Sequence, residues 1–191
     1  QDKIVRGRMP ALEIINERFT RSLSANLSLA IGKHVDIAIS SSKTTKFNEF
    51  MKGVPIPASF NILKLGNLRG HIMMLLDPNL VFMLVDMFFG GNGQTHVKVE
   101  GRDFTFIEQR IIKKVMDMAR VEMEKAWNPV LSLELAHVRS EVNPQFAQIV
   151  QGIEIVIVVN FSVEAENFSG NISLCLPYST LEPIKDKLFA G

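Results

Sequence analysis

The chain has 191 residues, of which 47% are hydrophobic and 21% are charged, and this is the composition of a globular domain that buries its own core. Its 21 Lys and Arg residues nearly balance its 20 Asp and Glu residues, which leaves a formal net charge of +1. This balance argues against a nucleic-acid-binding protein, because binding to phosphates needs a clustered cationic excess.

The single cysteine and the longest apolar segment exclude further classes. One cysteine, Cys175, cannot form an intrachain disulfide, and we expect a reducing compartment. The apolar stretch over 80–89 is interrupted by Asp86 and is too short to cross a bilayer, so we expect no membrane insertion. Because the chain begins at Gln1 without an initiator Met, we expect a fragment of a longer protein.

The first half of the chain is predicted to alternate helices and strands. Apolar residues at helical spacing predict a helix over 11–31, with Pro10 in its first turn and Gly32 at its end. The following elements are, in order, a strand with Val35, Ile37 and Ile39, a short helix over 44–52 stopped by Gly53, strands over 58–65 and 70–76 joined by a Gly66-Asn67 turn, and a short helix from Pro78 to Phe89.

The second half follows a polar linker over 94–103. Thr105 and Glu108 have the spacing of a capping box and predict the start of a long helix. Its predicted apolar stripe is Ile107, Ile111, Val115, Met118 and Ala126, with its end at Trp127 before Pro129. The following elements are a strand with Leu131, Leu133 and Leu135, a short segment at Pro144, a strand from Ile153 to Val159, a strand over 170–176 and a closing helix over 180–189.

Both halves have the same predicted order of elements, which indicates an internal duplication. Aligning 70–91 with 170–191 gives six identities in 22 positions, namely Gly70/Gly170, Ile72/Ile172, Leu76/Leu176, Asp86/Asp186, Phe89/Phe189 and Gly91/Gly191. We therefore predict one domain over 1–191 built of two repeats, about 10–93 and 104–191. Its fold class is α/β, a pseudo-twofold domain with helices packed on a largely antiparallel sheet. Two unrelated α/β units of similar spacing are the alternative.

The sequence contains no recognisable catalytic or metal-binding pattern. The histidines lack partners at metal-ligand spacing, and no serine lies in a nucleophile-elbow pattern. They are His34, His71, His96 and His137. Cys175 lies between two leucines and is predicted to be a small buried side chain. We therefore expect no catalytic residue, no metal and no cofactor.

The most informative local feature is the glycine loop Gly90, Gly91, Asn92 and Gly93. It follows a predicted helix and lacks a following Lys-Ser or Lys-Thr, so it does not match a phosphate-binding loop. Its bare backbone next to Phe88 and Phe89 is typical of a protein contact site, because aromatic side chains are enriched in interfaces. A flexible turn after a helix is the alternative.

Several short motifs together resemble one known family. They are GGNG at 90–93, VEGRDFT at 99–105, EQR at 108–110, VRSE at 138–141, LCLPY at 174–178 and LEP at 181–183. In combination they resemble the middle domain of the FliM family of bacterial flagellar motor switch proteins, and the likeness extends over almost the whole chain.

The resemblance implies a CheC/CheX-like fold and a non-enzymatic role in the cytoplasmic C-ring, at the inner membrane, in the control of rotation direction during chemotaxis. It assigns Gly90, Gly91, Asn92 and Gly93 as the contact with FliG, and we expect Phe88 and Phe89 to adjoin it. It also implies neighbouring FliM subunits side by side as partners. FliN and phosphorylated CheY are expected to bind mainly regions outside this chain.

The same resemblance implies an alternative, a CheC-type phosphatase acting on phosphorylated CheY. Such enzymes carry a Glu and an Asn three residues apart on a helix, and Glu13 and Asn16 have this spacing. The pattern is incomplete, because Met9 and Phe19 stand at its flanking positions, and the second long helix has Lys114 and Asp117 instead. A third possibility is a small-molecule sensor with a pocket between the two halves.

Overall fold

The computed structural model describes residues 8–91 and 103–190, and its core is one six-stranded sheet. The strands follow the order β1-β5-β6-β3-β2-β4, and every neighbouring pair is antiparallel. The predicted fold class, helices packed on a largely antiparallel sheet, is therefore confirmed. The strands are β1 Asp36–Lys46, β2 Ser59–Leu65, β3 Ile72–Leu76, β4 Leu135–Glu141, β5 Ile155–Ala165 and β6 Phe168–Pro177.

The longer helices lie on one face of this sheet. The helices are α1 Pro10–Ile31, α2 Phe47–Lys52, α3 Pro78–Phe88, α4 Phe106–Trp127, α5 Tyr178–Leu181 and α6 Lys185–Phe189, with 3-10 turns at Pro144–Phe146 and Glu182–Ile184. The main core lies between the sheet and α1, α3 and α4. At its centre the rings of Phe19 and Phe161 meet edge to face, with centroids 5.4 Å apart. A smaller apolar cluster on the opposite face is covered by α2 and the segment after β4.

The two long helices begin and end as the sequence predicts. Pro10 occupies the first position of α1, and Gly32 ends it in the left-handed conformation with a φ of 78°. The capping box of α4 is formed: the Glu108 N–H donates to Thr105 Oγ1 over 3.2 Å, and the Thr105 N–H donates to Glu108 Oε1 over 2.8 Å. These contacts satisfy backbone groups that have no partner inside the helix.

The predicted helix over 44–52 is wrong in its first three residues. Thr44, Thr45 and Lys46 continue β1, where Thr44 pairs with Ile157 of β5, and α2 begins only at Phe47. The β-branched threonines favour the strand. Most of β1 is exposed, so it lacks the apolar alternation that would predict its length.

Three predictions in the second half also need correction. Leu131 and Leu133 precede the strand, because β4 starts only at Leu135, whose N–H donates to Glu124 Oε2 over 2.6 Å. Ile153 likewise lies before β5. The closing helix is divided into α5, a 3-10 turn and α6, since Pro183 lacks the N–H that a continuous helix needs.

The apolar stripe of α4 is rotated from its predicted position. Ile107 is 53% exposed, and Ile111 and Met118 are only partly buried. Val115 and Ala126 are buried as predicted, and the buried face also includes Ile112, Met116, Ala119, Met123 and Trp127. The helix therefore presents Ile107 to the surface rather than to the core.

The two halves repeat an irregularity of the sheet. In β1 the extra residue Ser40 interrupts the pairing opposite the Asn160–Phe161 step of β5. In β4 the extra residue Val138 interrupts the pairing opposite the Ile62–Leu63 step of β2. The two extra residues, Ser40 and Val138, are 98 positions apart in the chain. The residue pairs opposite them, Asn160–Phe161 and Ile62–Leu63, are also 98 positions apart. Because β-bulges are specific features of a fold, this match supports the predicted duplication.

The matched glycines of the sequence alignment make reciprocal contacts. A β-carbon at Gly170 would lie 2.7 Å from the Leu80 Cα at the start of α3. A β-carbon at Gly70 would lie 2.9 Å from the Thr180 Oγ1 in α5. In each half, the absence of a side chain on this glycine thus lets a helix of the other half pack closely against it. The repeat boundaries at about 10–93 and 104–191 stay a prediction.

Candidate partner-docking site

The helix α3 carries the predicted docking corner and is fixed at its start. The Leu80 N–H donates to Asp77 Oδ1 over 2.8 Å, which caps the helix, and Pro78 occupies the first turn. Asp77 is in turn held by Asn171 of β6, whose Nδ2 donates to Asp77 Oδ2 over 3.1 Å. The buried face of α3 is formed by Leu80, Val81, Met83, Leu84 and Met87. The far end of α3 is therefore presented by a firmly packed helix.

The end of α3 has the hydrogen bonds of a Schellman motif. Gly90 has a φ of 87°, and its N–H donates to the Met87 carbonyl over 3.1 Å. The Gly91 N–H reaches back to the Asp86 carbonyl over 2.8 Å. A left-handed residue at this position strongly favours glycine. The geometry thus explains why the aromatic pair at the end of α3 is followed directly by glycine.

One side of this corner is open and the other is supported. Among residues 8–91 and 103–190, no atom lies within 4 Å of a β-carbon built on Gly90, and Phe89 is 69% exposed. Gly91 is half-buried, and a β-carbon there would collide with the Asp86 carboxylate. Lys33, just after α1, donates from Nζ to the Gly91 carbonyl over 2.7 Å. A partner could therefore approach the corner from the side of Phe89 and Gly90.

The helix α4 adds exposed apolar residues that the sequence analysis missed. It runs beside α3: the Lys114 Nζ lies 5.1 Å from the centroid of the Phe88 ring, and the Phe82 and Phe104 rings are 6.1 Å apart. At the start of α4, Phe106 is 73% exposed and Ile107 is 53% exposed. The sequence analysis placed Ile107 in the buried stripe of α4 and gave Phe106 no role, so it offered no signal for their exposure.

The predicted contact residues are thus only partly described. Phe89 and Gly90 are exposed, whereas Phe88 is half-buried against Lys114. Asn92 and Gly93 lie outside the described residues, as does most of the predicted linker over 94–103. The assignment of Gly90, Gly91, Asn92 and Gly93 as a partner contact stays a prediction.

Burial shifts the pKa of several titratable side chains in the described ranges. Within 8–91 and 103–190, no group of three His, Cys, Asp or Glu side chains could hold a metal ion. Burial lowers the pKa of His71 and of His137, which favours neutral imidazoles. Burial raises the pKa of the Cys175 thiol far above its usual range, so the thiol remains protonated and unreactive.

The residue pairs considered for a phosphatase have other contacts. Glu13 accepts a hydrogen bond of 2.6 Å from Arg8, which lowers the pKa of Glu13, and Asn16 is only 4% exposed. In α4, Lys114 faces the Phe88 ring, while Asp117 Oδ2 accepts from Lys113 over 2.9 Å. Lys114 and Asp117 of α4 therefore do not repeat the Glu13 and Asn16 pair of α1.

Comparison with known sequences identifies the family. A family model described as "Flagellar motor switch protein FliM" matches residues 5–190. The FliM protein of Pseudomonas aeruginosa is 43% identical over 191 residues, which are 100% of this chain and 59% of that protein. The FliM protein of Escherichia coli is 38% identical over 189 residues, which are 98% of this chain and 57% of that protein. The chain thus spans less than two thirds of these relatives.

Solved structures show the same fold. The FliM middle domain of Vibrio alginolyticus matches with a TM-score of 0.86 and 34% identity, covering 94% of this chain and 100% of that chain. A chain of the FliG-FliM complex from H. pylori matches with a TM-score of 0.87 and 23% identity, covering 97% and 99%. The chemotaxis protein CheX from Vibrio vulnificus shares the fold more distantly, with a TM-score of 0.54, 10% identity and coverage of 84% and 97%.

The fold and the site together define a CheC/CheX-like α/β domain with an exposed corner of bare backbone and aromatic side chains. The chain belongs to the FliM family of flagellar motor switch proteins and corresponds to the middle domain of that family. Of the helices within the described ranges, none combines the length and the hydropathy needed to cross a membrane.

Proposed function

We propose that this domain is a non-enzymatic scaffold of the flagellar motor switch and that its glycine corner binds FliG. The observation that carries the proposal is the exposed side of the corner, where Phe89 is 69% exposed next to the exposed backbone of Gly90. A large exposed aromatic ring supplies contact area at low entropic cost. The H. pylori relative, which shares this fold, is described as a FliG-FliM complex.

The exposed start of α4 extends this proposed contact. Phe106 and Ile107 belong to the helix that packs beside α3, so a partner at Phe89 could cover them as well. Covering them would remove large apolar side chains from water, which favours association. We therefore include Phe106 and Ile107 in the proposed FliG contact.

The remaining expectations from the resemblance complete the proposal. Neighbouring FliM subunits would stand side by side in a cytoplasmic ring at the inner membrane. FliN and phosphorylated CheY would act mainly through regions of the longer protein. The domain would change rotation direction by a rigid-body tilt between two arrangements that differ by only about a few kcal/mol.

The corner is tested by replacing its exposed ring. Phe89→Ala should weaken binding to purified FliG about tenfold or more, because truncating an aromatic residue that anchors an interface costs about 2 kcal/mol or more of binding energy. Isothermal titration calorimetry measures the loss. The matched control is Phe146→Ala, which removes a ring that is 61% exposed and follows β4, next to the cluster on the opposite face of the sheet.

A second variant tests the backbone of the same corner. Gly91→Val would bring a β-branched side chain against the Asp86 carboxylate and should also reduce binding to FliG. Circular dichroism establishes that each variant is folded. Full binding by both Phe89→Ala and Gly91→Val, or an equal loss in Phe146→Ala, would contradict the proposed contact.

The phosphatase alternative predicts that the chain removes phosphate from phosphorylated CheY, whereas the scaffold proposal predicts that it does not. Because the Glu13 carboxylate pairs with Arg8 at 2.6 Å, we expect the chain not to accelerate loss of phosphate from phosphorylated CheY. The assay follows phosphate release with the wild type and with the Glu13→Ala/Asn16→Ala double variant. An acceleration that disappears in the double variant would favour the enzyme over the scaffold.

A further inference from the structure

The first strand of the sheet has a free edge that is unusually long. β1 runs over Asp36–Lys46 and, within the part of the chain that the structure describes, pairs only with β5, so it forms one border of the described sheet. Every residue from Ala38 to Thr44 is exposed. The opposite border, β4, is covered at its start by α4, where Glu124 and Arg120 bind the Leu135 backbone. An uncovered edge strand can accept a further strand.

The helix α1 covers only the beginning of this edge. The Val35 N–H donates to Ser28 Oγ over 2.9 Å, and the Ile37 N–H donates to Ser24 Oγ over 2.9 Å. In an antiparallel pair, alternate residues direct their backbone groups away from the partner strand. The bulge at Ser40 adds one residue, so after it the outward backbone groups belong to Ser42 and Thr44. Among the described residues, the serines of α1 bind the backbone at Val35 and Ile37 and not at Ser42 or Thr44, and both of these residues are exposed.

A cleft of about 820 Å³ borders this part of the strand. Its apolar floor includes Ile157 and Val159 of β5, and Leu12 of α1 lines it as well. Asn16 also lines the cleft, is 4% exposed, and has a side-chain oxygen that finds no hydrogen-bond partner among the described residues. An unsatisfied buried acceptor is unfavourable, so this wall of the cleft carries a polar atom without a partner among the described residues.

Charge indicates which kind of peptide would fit. Lys43 and Lys46 lie on the exposed strand, and no acidic residue occurs from Ile37 to Lys46. Arg8 at the cleft is paired with Glu13, which leaves the two lysines and Glu17 as the other charged lining residues. A second copy of β1 would bring lysines together without a compensating carboxylate, which disfavours pairing of identical edges.

We propose that the free edge of β1 over Ser42–Lys46, together with the adjoining cleft, binds an extended acidic peptide segment of a partner protein as a seventh strand. Backbone groups of Ser42 and Thr44 would pair with the peptide, and Lys43 and Lys46 would select for carboxylates. Main-chain pairing gives affinity and alternate side chains give specificity in this mode of recognition. This surface is separate from the glycine corner, so its test is independent of FliG binding.

The experiment uses the 191-residue chain and a fluorescent peptide of alternating threonine and valine with two interspersed glutamates. Fluorescence polarisation should show saturable binding of this peptide, and at least tenfold weaker binding of the same peptide with lysines for glutamates. Lys43→Glu and Lys46→Glu should each weaken binding of the acidic peptide severalfold. Lys187→Glu, an exposed lysine in α6, is the matched charge control and should have no effect.

A proline tests the backbone pairing directly. Thr44→Pro removes an N–H that points away from β5, so the sheet should tolerate it while peptide binding falls about tenfold or more. Thr44→Ala keeps the N–H and should keep binding. Absence of binding to the acidic peptide, equal binding of the lysine peptide, or undiminished binding by a folded Thr44→Pro variant would overturn the proposal. A Thr44→Pro-sensitive dimer that excludes the peptide would overturn it in favour of a second copy.

Discussion

Replacing Phe19 with alanine should lower the free energy of unfolding by about 3–5 kcal/mol, which is the usual cost of truncating a buried aromatic ring. Phe19 is fully buried in α1, and its ring meets that of Phe161 in β5 with centroids 5.4 Å apart. The substitution removes this contact and leaves a cavity between the helix layer and the sheet. Since domains are stable by only about 5–15 kcal/mol, the loss is a large fraction of the total.

Urea denaturation followed by circular dichroism measures the effect. Phe19→Leu refills most of the space and should recover much of the lost stability. Phe146→Ala truncates a ring that is 61% exposed and should change the unfolding free energy by less than about 1 kcal/mol. A Phe19→Ala variant that is as stable as Phe146→Ala would show that this ring pair does not hold the two layers together.

The second large effect is expected at Gly170, where β6 meets α3. Gly170→Ala should cost about 1–3 kcal/mol, because the new methyl group would overlap the backbone of the first turn of α3. The distances from that methyl carbon would be 2.7 Å to the Leu80 Cα and 3.0 Å to the Leu80 N. Backbone atoms cannot rotate aside as a flexible side chain does, so α3 must shift. Phe89 directly follows the end of this helix, and we therefore expect binding at the corner to weaken as well.

A glycine without a close neighbour supplies the control. Gly53 ends α2 with a right-handed backbone, and its nearest neighbour to a new methyl carbon is the Phe50 carbonyl oxygen at 3.7 Å. Gly53→Ala should therefore be nearly neutral, or slightly stabilising through the unfolded chain. Equal stability of Gly170→Ala and Gly53→Ala in thermal unfolding would contradict the role assigned to the Gly170 contact.

The ends of helices that are determined by a few neighbouring residues were predicted correctly from the sequence. The capping box at Thr105 and Glu108 and the glycine end of α1 depend on neighbouring residues only, and both are present. By contrast, β4 has an exposed face interrupted by the bulge at Val138, so apolar alternation does not extend along it. The prediction therefore favoured Leu131 and Leu133 instead, although the side chain of Leu133 packs by Gly66 outside the strand.

The proposed docking corner rests on residues that lie close together in the chain, and its role as a partner contact stays a prediction. The glycines after Phe89 indicated a bare-backbone corner, and its open side at Gly90 agrees with that interpretation. The exposure of Phe106 and Ile107 was not predictable, because it depends on how α4 is rotated against the core. Ile107 was assigned to the buried stripe, and Phe106 was not assigned to any surface.

The bulges at Ser40 and Val138 have a consequence for the ancestry of the fold. Their common offset is easiest to explain if one shorter gene was copied and joined end to end, so that both copies inherited the same irregularity. Before that fusion, two copies of the shorter polypeptide would have assembled as a symmetric homodimer. The glycine that corresponds to Gly70 and Gly170 would then have packed against a helix of the other subunit. Today's β3–β6 pairing, in which Met74 faces Leu174, would then mark the former dimer axis.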